Sequence, residues 1–261
     1  MKYQCIFSDI DGTLLNSHHQ ITSKTKEKIK NLHEQGIPFI LVSARMPKGI
    51  RFLQEELEIN DPIICYSGGL VLDNDQILFS QGIQKQTANQ LLEYLQKHHQ
   101  ICTTIYFNDH WMVNDIKDPW VIQESEITGI VPETINFNQI PFVHKVLCMG
   151  ESHAISDLEQ QLLQLFPSLS IYKSKETYLE IMDGTISKSQ AIKKICQKNH
   201  YSLEKTISFG DNYNDIDMLK TTKLGFAMQN APIGVLHEIK THTLSNDEDG
   251  IVYALEHLVG D

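Results

Sequence analysis

The chain has 261 residues, 41% hydrophobic and 21% charged, a balance that excludes disordered and fibrous proteins. Its 22 Lys and Arg residues against 33 Asp and Glu residues leave a net charge of −11, which argues against a nucleic-acid binder and against docking on an anionic membrane. Five cysteines without metal-type spacing, and no apolar stretch near the ~18 residues of a membrane helix, indicate a reducing, cytoplasmic compartment.

The first third of the chain alternates between strand-like and helix-like segments. Residues 3–8 form a short apolar run, which is typical of a strand buried on both faces. Thr22 or Ser23 can cap a helix that ends at Gly36. This alternation predicts a parallel sheet covered by helices. The next predicted elements are a strand, a helix, a strand and a hairpin over residues 37–42, 47–58, 63–66 and 71–78.

Residues 83–183 follow a different pattern, in which strand pairs are mixed with helices. The α/β alternation returns at residue 188 and continues to the end of the chain, with a predicted strand at 241–244. We therefore predict an α/β fold with a Rossmann-like parallel-sheet core and helices on both faces. The core would consist of residues 1–82 and 184–261, with residues 83–183 inserted as an α+β domain.

Two aspartates follow the first predicted strand, in the sequence Asp9-Ile10-Asp11-Gly12-Thr13. Residues i and i+2 of an extended segment point the same way, so both carboxylates face one side. Two like charges about 4 Å apart repel by ~4 kcal/mol at an effective dielectric of 20, so either one is protonated or a cation such as Mg²⁺ is present. Gly12 permits a tight turn that brings backbone N–H groups near an anion. The alternative interpretation is a plain Asp-Gly turn.

A second polar cluster follows the predicted strand that ends at Gly210. Its residues are Asp211, Asn212, Tyr213, Asn214 and Asp215. A helix that starts here places Asp211 and Asp215 on one face. The alternative is capping by Asp211 or Asn212, with Asp215 favoured by the helix dipole, which accounts for one acid better than for two. Asp217 falls off this face and is expected to be solvated.

Two further residues stand at an inferred strand end and an inferred helix start. Ser43 ends the second predicted strand, where a hydroxyl and backbone N–H groups can hold a phosphate oxygen, although many such junctions carry a serine cap. Lys188 opens the helix after the insertion. A cation there opposes the helix dipole, which hints at a nearby anion, although such a lysine alone is expected to be solvated. Arg45 is interpreted as a surface residue.

Together, these motifs resemble those of the haloacid dehalogenase-like hydrolase superfamily, and the sequence is most similar to its Cof-type phosphatases. Asp-Ile-Asp-Gly-Thr at 9–13, the hydroxyl at 43, the lysine at 188 and Gly-Asp-Asn-Tyr-Asn-Asp at 210–215 match its four motifs in order. The insertion between the second and third motifs resembles the large cap of that group. Asn230-Ala231 and the segment 246–251 are also typical of the Cof-type group.

The chain departs from the family pattern at three points. Ser43-Ala44-Arg45 replaces the usual Thr-Gly-Arg, and Ser67 opens a Ser-Gly-Gly segment where many relatives have Asn-Gly-Ala. Ser189 follows the lysine where a glycine is common. Because serine keeps the hydroxyl at position 43, these changes can alter the fit of a substrate but remove no catalytic group.

The resemblance implies a role for each matched residue. Asp9 would be the nucleophile that forms an aspartyl-phosphate, and Asp11 the general acid and then the base. Mg²⁺ would be held by the Asp9 side chain, the Asp11 backbone carbonyl and the Asp211 side chain. Asp215 would support these ligands from behind without binding the ion directly. The phosphoryl oxygens would be held by Ser43, the Ala44 N–H, Lys188 and Asn214.

Three functions remain open from the sequence. The main hypothesis is a Mg²⁺-dependent phosphatase for small phosphorylated metabolites, such as sugar phosphates or pyridoxal phosphate, with residues 83–183 as a cap that selects the leaving group. A phosphoryl-transfer mutase and a non-catalytic protein that binds a phosphorylated ligand are the alternatives. The expected partner is a small-molecule substrate, with no nucleic acid and no membrane. The protein is expected to be a cytoplasmic monomer or weak homodimer.

Overall fold

The computed structural model describes residues 3–134 and 140–258 of the chain. The chain divides into two compact units. The first unit contains Met1–Arg45, Ile50–Phe79 and Ser187–Asp261, and the second contains Met46–Gly49 and Ser80–Ile186. The assignment of residues 1–82 and 184–261 to a catalytic core, and of residues 83–183 to a cap, stays a prediction.

The secondary structure follows the predicted alternation in both outer segments of the chain. The strands are β1 (Cys5–Asp9), β2 (Phe39–Val42), β3 (Ile63–Cys65), β4 (Leu70–Asp73), β5 (Gln76–Ser80), β6 (Ile83–Gln84), β7 (Cys102–Phe107), β8 (His110–Val113), β9 (Glu133–Thr134), β10 (Phe142–Val143), β11 (Lys145–Met149), β12 (Leu169–Lys175), β13 (Tyr178–Asp183), β14 (Thr206–Gly210) and β15 (Leu224–Ala227). The α-helices are α1 (Ser23–Glu34), α2 (Lys48–Leu57), α3 (Lys85–Leu95), α4 (Pro119–Thr128), α5 (Ser152–Leu165), α6 (Lys188–Lys198), α7 (Ile216–Thr221), α8 (Ile233–Glu238) and α9 (Gly250–His257).

A seven-stranded sheet forms the centre of the first unit, in the order β15-β14-β1-β2-β3-β4-β5. Its strands are parallel from β15 to β3, and β4 is antiparallel to β3. Strand β1 lies between β14 and β2, with Ser8 paired to both Phe209 and Leu41. The carboxyl ends of β1, β2 and β14 therefore share one edge of the sheet, which is where α/β sheets bind ligands.

Alternate residues of β1 face opposite sides of this sheet. Cys5 and Phe7 belong to a core cluster that includes residues of α6, α7 and α8. Ile6 lines a cavity of about 560 Å³ together with Leu32 of α1 and Leu255 of α9. Helices thus cover both faces of a mostly parallel sheet, and the predicted Rossmann-like α/β architecture is confirmed.

The second unit is built on a six-stranded sheet in the order β12-β13-β11-β7-β8-β9. Its neighbouring strands are antiparallel, except for the parallel pair β8 and β9. Leu91 of α3 and Leu158 of α5 share one core cluster with Ile105 and Val146 of the sheet. A mostly antiparallel sheet with α3 and α5 packed on one face is the α+β arrangement that the sequence predicted.

Two local predictions are wrong. Residues 241–244 form an isolated bridge between His242 and Ala227 where a strand was predicted, because the chain turns into a 3-10 helix at Asn246–Glu248 before a ladder can extend. The helix expected to start near Asp211 begins at Ile216, after a 3-10 turn. Within residues 3–134 and 140–258, no helix has both the length and the apolar character needed to cross a membrane.

Candidate active site

Two adjacent parallel strands, β1 and β14, bring acidic residues to one edge of the sheet. Ser8 pairs with Phe209, so Asp9 and Asp211 lie at neighbouring strand ends. One carboxylate oxygen from each of Asp9, Asp211 and Asp215 lies within 4.8 Å of the other two. The structure therefore brings together three carboxylates that the sequence analysis singled out from opposite ends of the chain.

Lys188 joins this cluster from the first position of α6. The helix start is capped by the Ser187 hydroxyl, which accepts a hydrogen bond from the Gln190 N–H. The Lys188 side chain is 1% exposed, and its Nζ donates to Asp9 Oδ1 at 2.6 Å and to Asp215 Oδ1 at 2.5 Å. A buried ammonium between two carboxylates compensates charges that would otherwise be costly to bury. The nearby anions that the position of Lys188 hinted at are therefore Asp9 and Asp215.

Burial and like charges shift the ionisation of the cluster. Burial raises the pKa of Asp9 well above its usual range, and the attraction of Lys188 opposes the rise. Burial also raises the pKa of Asp211 to about 6, against the hydrogen bond from Thr13. Burial favours a lower pKa for Lys188, but the Asp215 and Asp9 carboxylates outweigh burial and raise that pKa. The cluster thus holds more negative charge than one lysine satisfies, and a further cation would relieve it.

The turn after β1 packs directly against Asp211. Gly12 has a φ of +84°, and a Cβ on it would lie 2.4 Å from Asp211 Oδ2. A side chain is therefore excluded both by the backbone conformation and by the carboxylate. The Thr13 hydroxyl donates to Asp211 Oδ1 at 2.7 Å. The glycine predicted to permit a tight turn also permits this close contact.

Asp215 uses both of its oxygens within the protein. Oδ2 accepts hydrogen bonds from the backbone N–H groups of Asp211 and Asn212, at 3.0 and 2.9 Å, while Oδ1 accepts from the buried ammonium. Asp215 therefore fixes the loop that carries Asp211. Asp217 was expected to be solvated, and that expectation is wrong: it accepts from the Ser189 N–H at 2.9 Å. Helical spacing within α7 carries no information about the neighbouring α6, which explains the error.

The Asp11 side chain lies outside the three-carboxylate cluster and pairs with Arg45. The guanidinium donates from Nε to Asp11 Oδ2 at 2.9 Å and from Nη2 to Asp11 Oδ1 at 2.6 Å. Arg45 is partly exposed, with 29% of its side chain accessible, and its contact with Asp11 adds to its interpretation as a surface residue. One guanidinium therefore engages both oxygens of the Asp11 carboxylate.

The segment after β2 is held by a turn that follows β3. The Ser43 Oγ accepts from the Arg45 N–H at 3.1 Å, and the Ser43 carbonyl accepts from the Ser67 N–H at 2.9 Å. The Arg45 carbonyl accepts from the Tyr66 N–H at 3.2 Å. Ala44 lies half-buried between the two anchored residues. The backbone of this predicted phosphate-binding segment is therefore fixed on both sides of Ala44.

The same turn reaches the start of α6. Tyr66, Ser67 and Gly68 have φ values of 51°, 53° and 111°, all in the left-handed region. A Cβ on Gly68 would lie 2.3 Å from the carbonyl oxygen of Ser187, the residue before Lys188. The Ser67 Oγ is buried and has no hydrogen-bond partner among the described residues. Consecutive residues with positive φ often mark functional sites. Because backbone angles are not visible in the sequence, Ser67 stood out there only as a departure from a family pattern.

The predicted phosphate-binding residues differ in exposure. Ser43 and Lys188 are buried, and Ala44 is half-buried. Asn214 is exposed and lies in the 3-10 turn Tyr213–Asp215 between β14 and α7. This turn places Asn214 directly before the Asp215 carboxylate in the chain, at the carboxyl edge of the sheet.

The donor set suits a divalent cation bound through oxygen. Lys188 occupies Oδ1 of Asp9 and Thr13 occupies Oδ1 of Asp211, so these contacts leave Oδ2 of both carboxylates for a cation. Burial is the main cause of the raised pKa of each carboxyl, and the neighbouring carboxylates add to the rise. Carboxylate oxygens are the ligands that Mg²⁺ prefers in proteins. The residues present therefore fit a magnesium site, with Asp215 holding the loop behind it.

Sequence reasoning missed the contacts that join distant segments. Arg45 reaches Asp11 across 34 positions, and Thr13 reaches Asp211 across 198 positions. The place of Arg45 in the family's Thr-Gly-Arg motif was the sequence feature that indicated a role for this residue. The corresponding feature for Thr13 was its place in the Asp-Gly-Thr motif.

Comparison with known proteins gives one consistent family. A family model described as haloacid dehalogenase-like hydrolase matches residues 6–255. A Haemophilus influenzae protein named "Putative phosphatase" is 35% identical over 257 residues, covering 98% of both chains. The crystal structure of a haloacid dehalogenase-like hydrolase from Bacteroides thetaiotaomicron is 28% identical, has a TM-score of 0.88, and covers 98% of this chain and 99% of that chain. A HAD subclass IIB sugar phosphatase shares the fold at 23% identity and a TM-score of 0.81, covering 98% and 99%.

Proposed function

Because the chain belongs to the haloacid dehalogenase-like hydrolase family, we propose that it is a Mg²⁺-dependent phosphatase that acts on small phosphorylated metabolites. The observation that carries this proposal is the convergence of Asp9, Asp211 and the buried Lys188 at one strand edge. Carboxylates alone would suit many cation sites. A lysine cation among them adds a contact for a phosphoryl oxygen, which a simple structural metal site does not need.

The proposed reaction has two displacements. A carboxylate oxygen of Asp9 attacks phosphorus, and the bond from phosphorus to the leaving-group oxygen breaks. Asp11 gives that oxygen a proton, then takes a proton from the water that hydrolyses the aspartyl-phosphate and restores Asp9. Because both Asp11 oxygens accept hydrogen bonds from Arg45, this pair must open before Asp11 can contact the leaving-group oxygen.

Each remaining residue has a binding or supporting role in this proposal. The Asp9 and Asp211 side chains and the Asp11 backbone carbonyl would hold Mg²⁺, which would supply positive charge near the transferring phosphoryl group. Asp215 keeps the loop of Asp211 in place through its two backbone hydrogen bonds. The phosphoryl oxygens are bound by Ser43, the Ala44 N–H, Lys188 and Asn214.

We propose sugar phosphates, or a phosphorylated cofactor such as pyridoxal phosphate, as substrates, with residues 83–183 as the cap that selects the leaving group. The shared fold with a sugar phosphatase supports the first class. Because the net charge is −11, a phosphate group needs local positive charge in order to bind, and Lys188 and Mg²⁺ would provide it. We place the protein in the cytoplasm as a monomer or weak homodimer without nucleic-acid or membrane partners. Its five cysteines form no disulfide, which suits a reducing compartment.

The test is phosphate release from para-nitrophenyl phosphate, from sugar phosphates and from pyridoxal phosphate, with Mg²⁺ or with EDTA. We expect turnover only with Mg²⁺, and a kcat lower by at least about 10³-fold for Asp9→Asn. Asp75→Asn is the matched control, because Asp75 lies in an exposed turn and undergoes the same chemical change. Turnover that survives Asp9→Asn would contradict the assigned nucleophile. A product that keeps its phosphate at a new position would favour the mutase, and no release from any substrate would favour the binding protein.

A further inference from the structure

Two asparagines in the segments typical of the Cof-type group contact the turn that carries Gly12, although the proposed chemistry gives them no role. The Asn230 Nδ2 donates to the carbonyl oxygen of Gly12 at 2.8 Å. The Asn246 Nδ2 donates to the carbonyl oxygen of Leu15 at 2.9 Å. Both carbonyls belong to the turn after β1, so this turn is held at two points by side-chain amides.

The two asparagines also hold each other. The Asn246 backbone N–H donates to Asn230 Oδ1 at 3.0 Å. Since Oδ1 accepts this bond, the Asn230 amide group must present its Nδ2 to Gly12, and the network fixes the orientation of the amide. An exposed asparagine otherwise rotates freely, so the link to Asn246 gives the contact with Gly12 its direction.

The segment that carries Asn230 is anchored to β14 as well. The Met228 N–H donates to the carbonyl oxygen of Gly210 at 2.9 Å, directly before Asp211. Asn230 lies two residues after Met228 and bonds to Gly12, which packs against Asp211. A continuous series of contacts therefore links Gly12, which packs against the Asp211 carboxylate, to Gly210, which precedes Asp211 in the chain.

These contacts matter because the turn after β1 holds both oxygens of the Asp211 carboxylate in place. Gly12 packs against Asp211 Oδ2, and the hydroxyl of the neighbouring Thr13 donates a hydrogen bond to Asp211 Oδ1. A turn that moves away loses both contacts and lets the carboxylate rotate. Since Mg²⁺ requires oxygen ligands at about 2.0–2.1 Å in a near-ideal octahedron, a rotating ligand lowers the affinity of Asp9 and Asp211 for the ion.

We propose that Asn230 and Asn246 are positioning residues, which clamp the Gly12 turn against Asp211 and thereby raise the affinity of Asp9 and Asp211 for a divalent cation. The inference rests on the proposed function, because that function assigns cation binding to this pair. The asparagines act through backbone carbonyl groups, in the way that outer hydrogen bonds orient the ligands of other metal sites.

The first experiment measures binding of Mn²⁺ alone by electron paramagnetic resonance. Asn230→Ala removes the bond to Gly12, and Asn246→Ala removes the bond to Leu15 while keeping its backbone N–H. Asn199→Ala is the matched control, because the Asn199 Nδ2 donates to a backbone carbonyl, that of Ile195, at 3.1 Å elsewhere in the same unit. We expect Asn230→Ala to bind Mn²⁺ about three- to tenfold more weakly, Asn246→Ala to lose less, and Asn199→Ala to match the wild type.

The second experiment measures amide hydrogen exchange without a metal. We expect residues 12–16 to exchange faster in Asn230→Ala than in Asn199→Ala, with unchanged exchange in β2 as evidence that the unit is folded. Unchanged Mn²⁺ affinity in Asn230→Ala overturns the proposal. A wild-type chain that binds no Mn²⁺ overturns the assigned cation site and the affinity step with it. Amide exchange then tests the clamp alone, and equal exchange in Asn230→Ala and the wild type overturns that clamp.

Discussion

Lys188 connects three elements through one ammonium group, because it starts α6 and binds carboxylates from β1 and from the turn before α7. Removing one member of a buried charge group leaves the others uncompensated, which costs more than the net value of the interaction. Water replaces the missing partner when the pair is exposed. The same unit offers such an exposed pair, in which Lys30 Nζ lies 2.8 Å from Glu58 Oε2.

We therefore expect Lys188→Met to lower the free energy of unfolding by about 3–5 kcal/mol at neutral pH, since two buried carboxylates lose their cation. Lys30→Met removes the same group from the exposed pair and should leave the free energy of unfolding close to that of the wild type. Urea denaturation followed by circular dichroism measures both variants. Equal unfolding free energies for Lys188→Met and the wild type would contradict the need for this ammonium.

At the residue scale, the sequence could predict the site residues that stand next to a recognisable local pattern. Asp9 and Asp211 each follow an apolar run, and parallel strands place their carboxyl ends at one edge. The bond from Asn230 to Gly12 spans 218 positions, and the pair of Arg45 with Asp11 spans 34. No periodicity relates such partners, so their contacts could be found only in the folded chain.

Among the elements, the turn Tyr66–Gly68 joins both predicted phosphate-binding segments. Its N–H groups bond to the carbonyls of Ser43 and Arg45, and Gly68 packs against the residue that precedes Lys188. Non-glycine residues with positive φ cost of order 1–3 kcal/mol each and persist only when their surroundings hold them. The turn is thus a strained connection whose cost is offset by contacts on both sides.

Gly68→Ala tests this connection, because its Cβ would lie 2.3 Å from the Ser187 carbonyl oxygen and the start of α6 must move. Gly36→Ala is the matched control: its φ of +75° is also left-handed, but nothing lies within 4 Å of the added Cβ. We expect Gly36→Ala to lose about 1 kcal/mol of unfolding free energy, and Gly68→Ala about 2–4 kcal/mol together with a lower kcat. Denaturation and phosphate release measure these effects. Equal losses in the two variants would contradict a steric connection to α6.

Elements with strong local signals were predicted to within a few residues. Thr22 caps α1 as expected, and the apolar run at residues 3–8 corresponds to β1 at Cys5–Asp9. The strand predicted at 241–244 is only an isolated bridge, because the chain turns into the 3-10 helix Asn246–Glu248 before a ladder can extend. Only two backbone bonds join Ala227 to this segment, one to Thr241 and one from Thr243.

At the scale of the whole molecule, burial shifts the pKa of titratable groups in both units. Burial raises the pKa of both Asp9 and Asp211 in the first unit. In the second unit, burial lowers the pKa of His144 to about 3. The His144 Nδ1 accepts from the Asn108 N–H at 3.0 Å, and its Nε2 lies 3.0 Å from the Ser80 Oγ, so this histidine is held in its neutral form. The contributions of His144 and Asp211 to stability should therefore depend on pH in opposite directions.

His144 should make a contribution to the stability of the second unit that is lost in acid. Between pH 6.5 and about 3 the unfolded chain protonates His144 and the folded chain does not, so the unfolded state binds more protons and stability falls as pH falls. Trp111 and Trp120 both lie in this unit, so tryptophan fluorescence reports its unfolding. Relative to His144→Gln, we expect the unfolding free energy of the wild type to fall by up to about 1.4 kcal/mol per pH unit below pH 6.5. Parallel pH profiles for the two proteins would contradict this origin.

The first unit should show the reverse dependence, and a cation should cancel it. The pKa of Asp211 is raised from 3.8 to about 6, so the folded state binds more protons in this window and stability is lost as pH rises through it. A divalent cation that binds only the folded cluster stabilises it by mass action, and this gain should grow over the same window as the carboxylates ionise. Amide exchange of β1 and β14 with and without Mg²⁺ measures the effect, with β11 of the second unit as the internal reference. Equal Mg²⁺-dependent protection in β11 would contradict a cation site confined to the first unit.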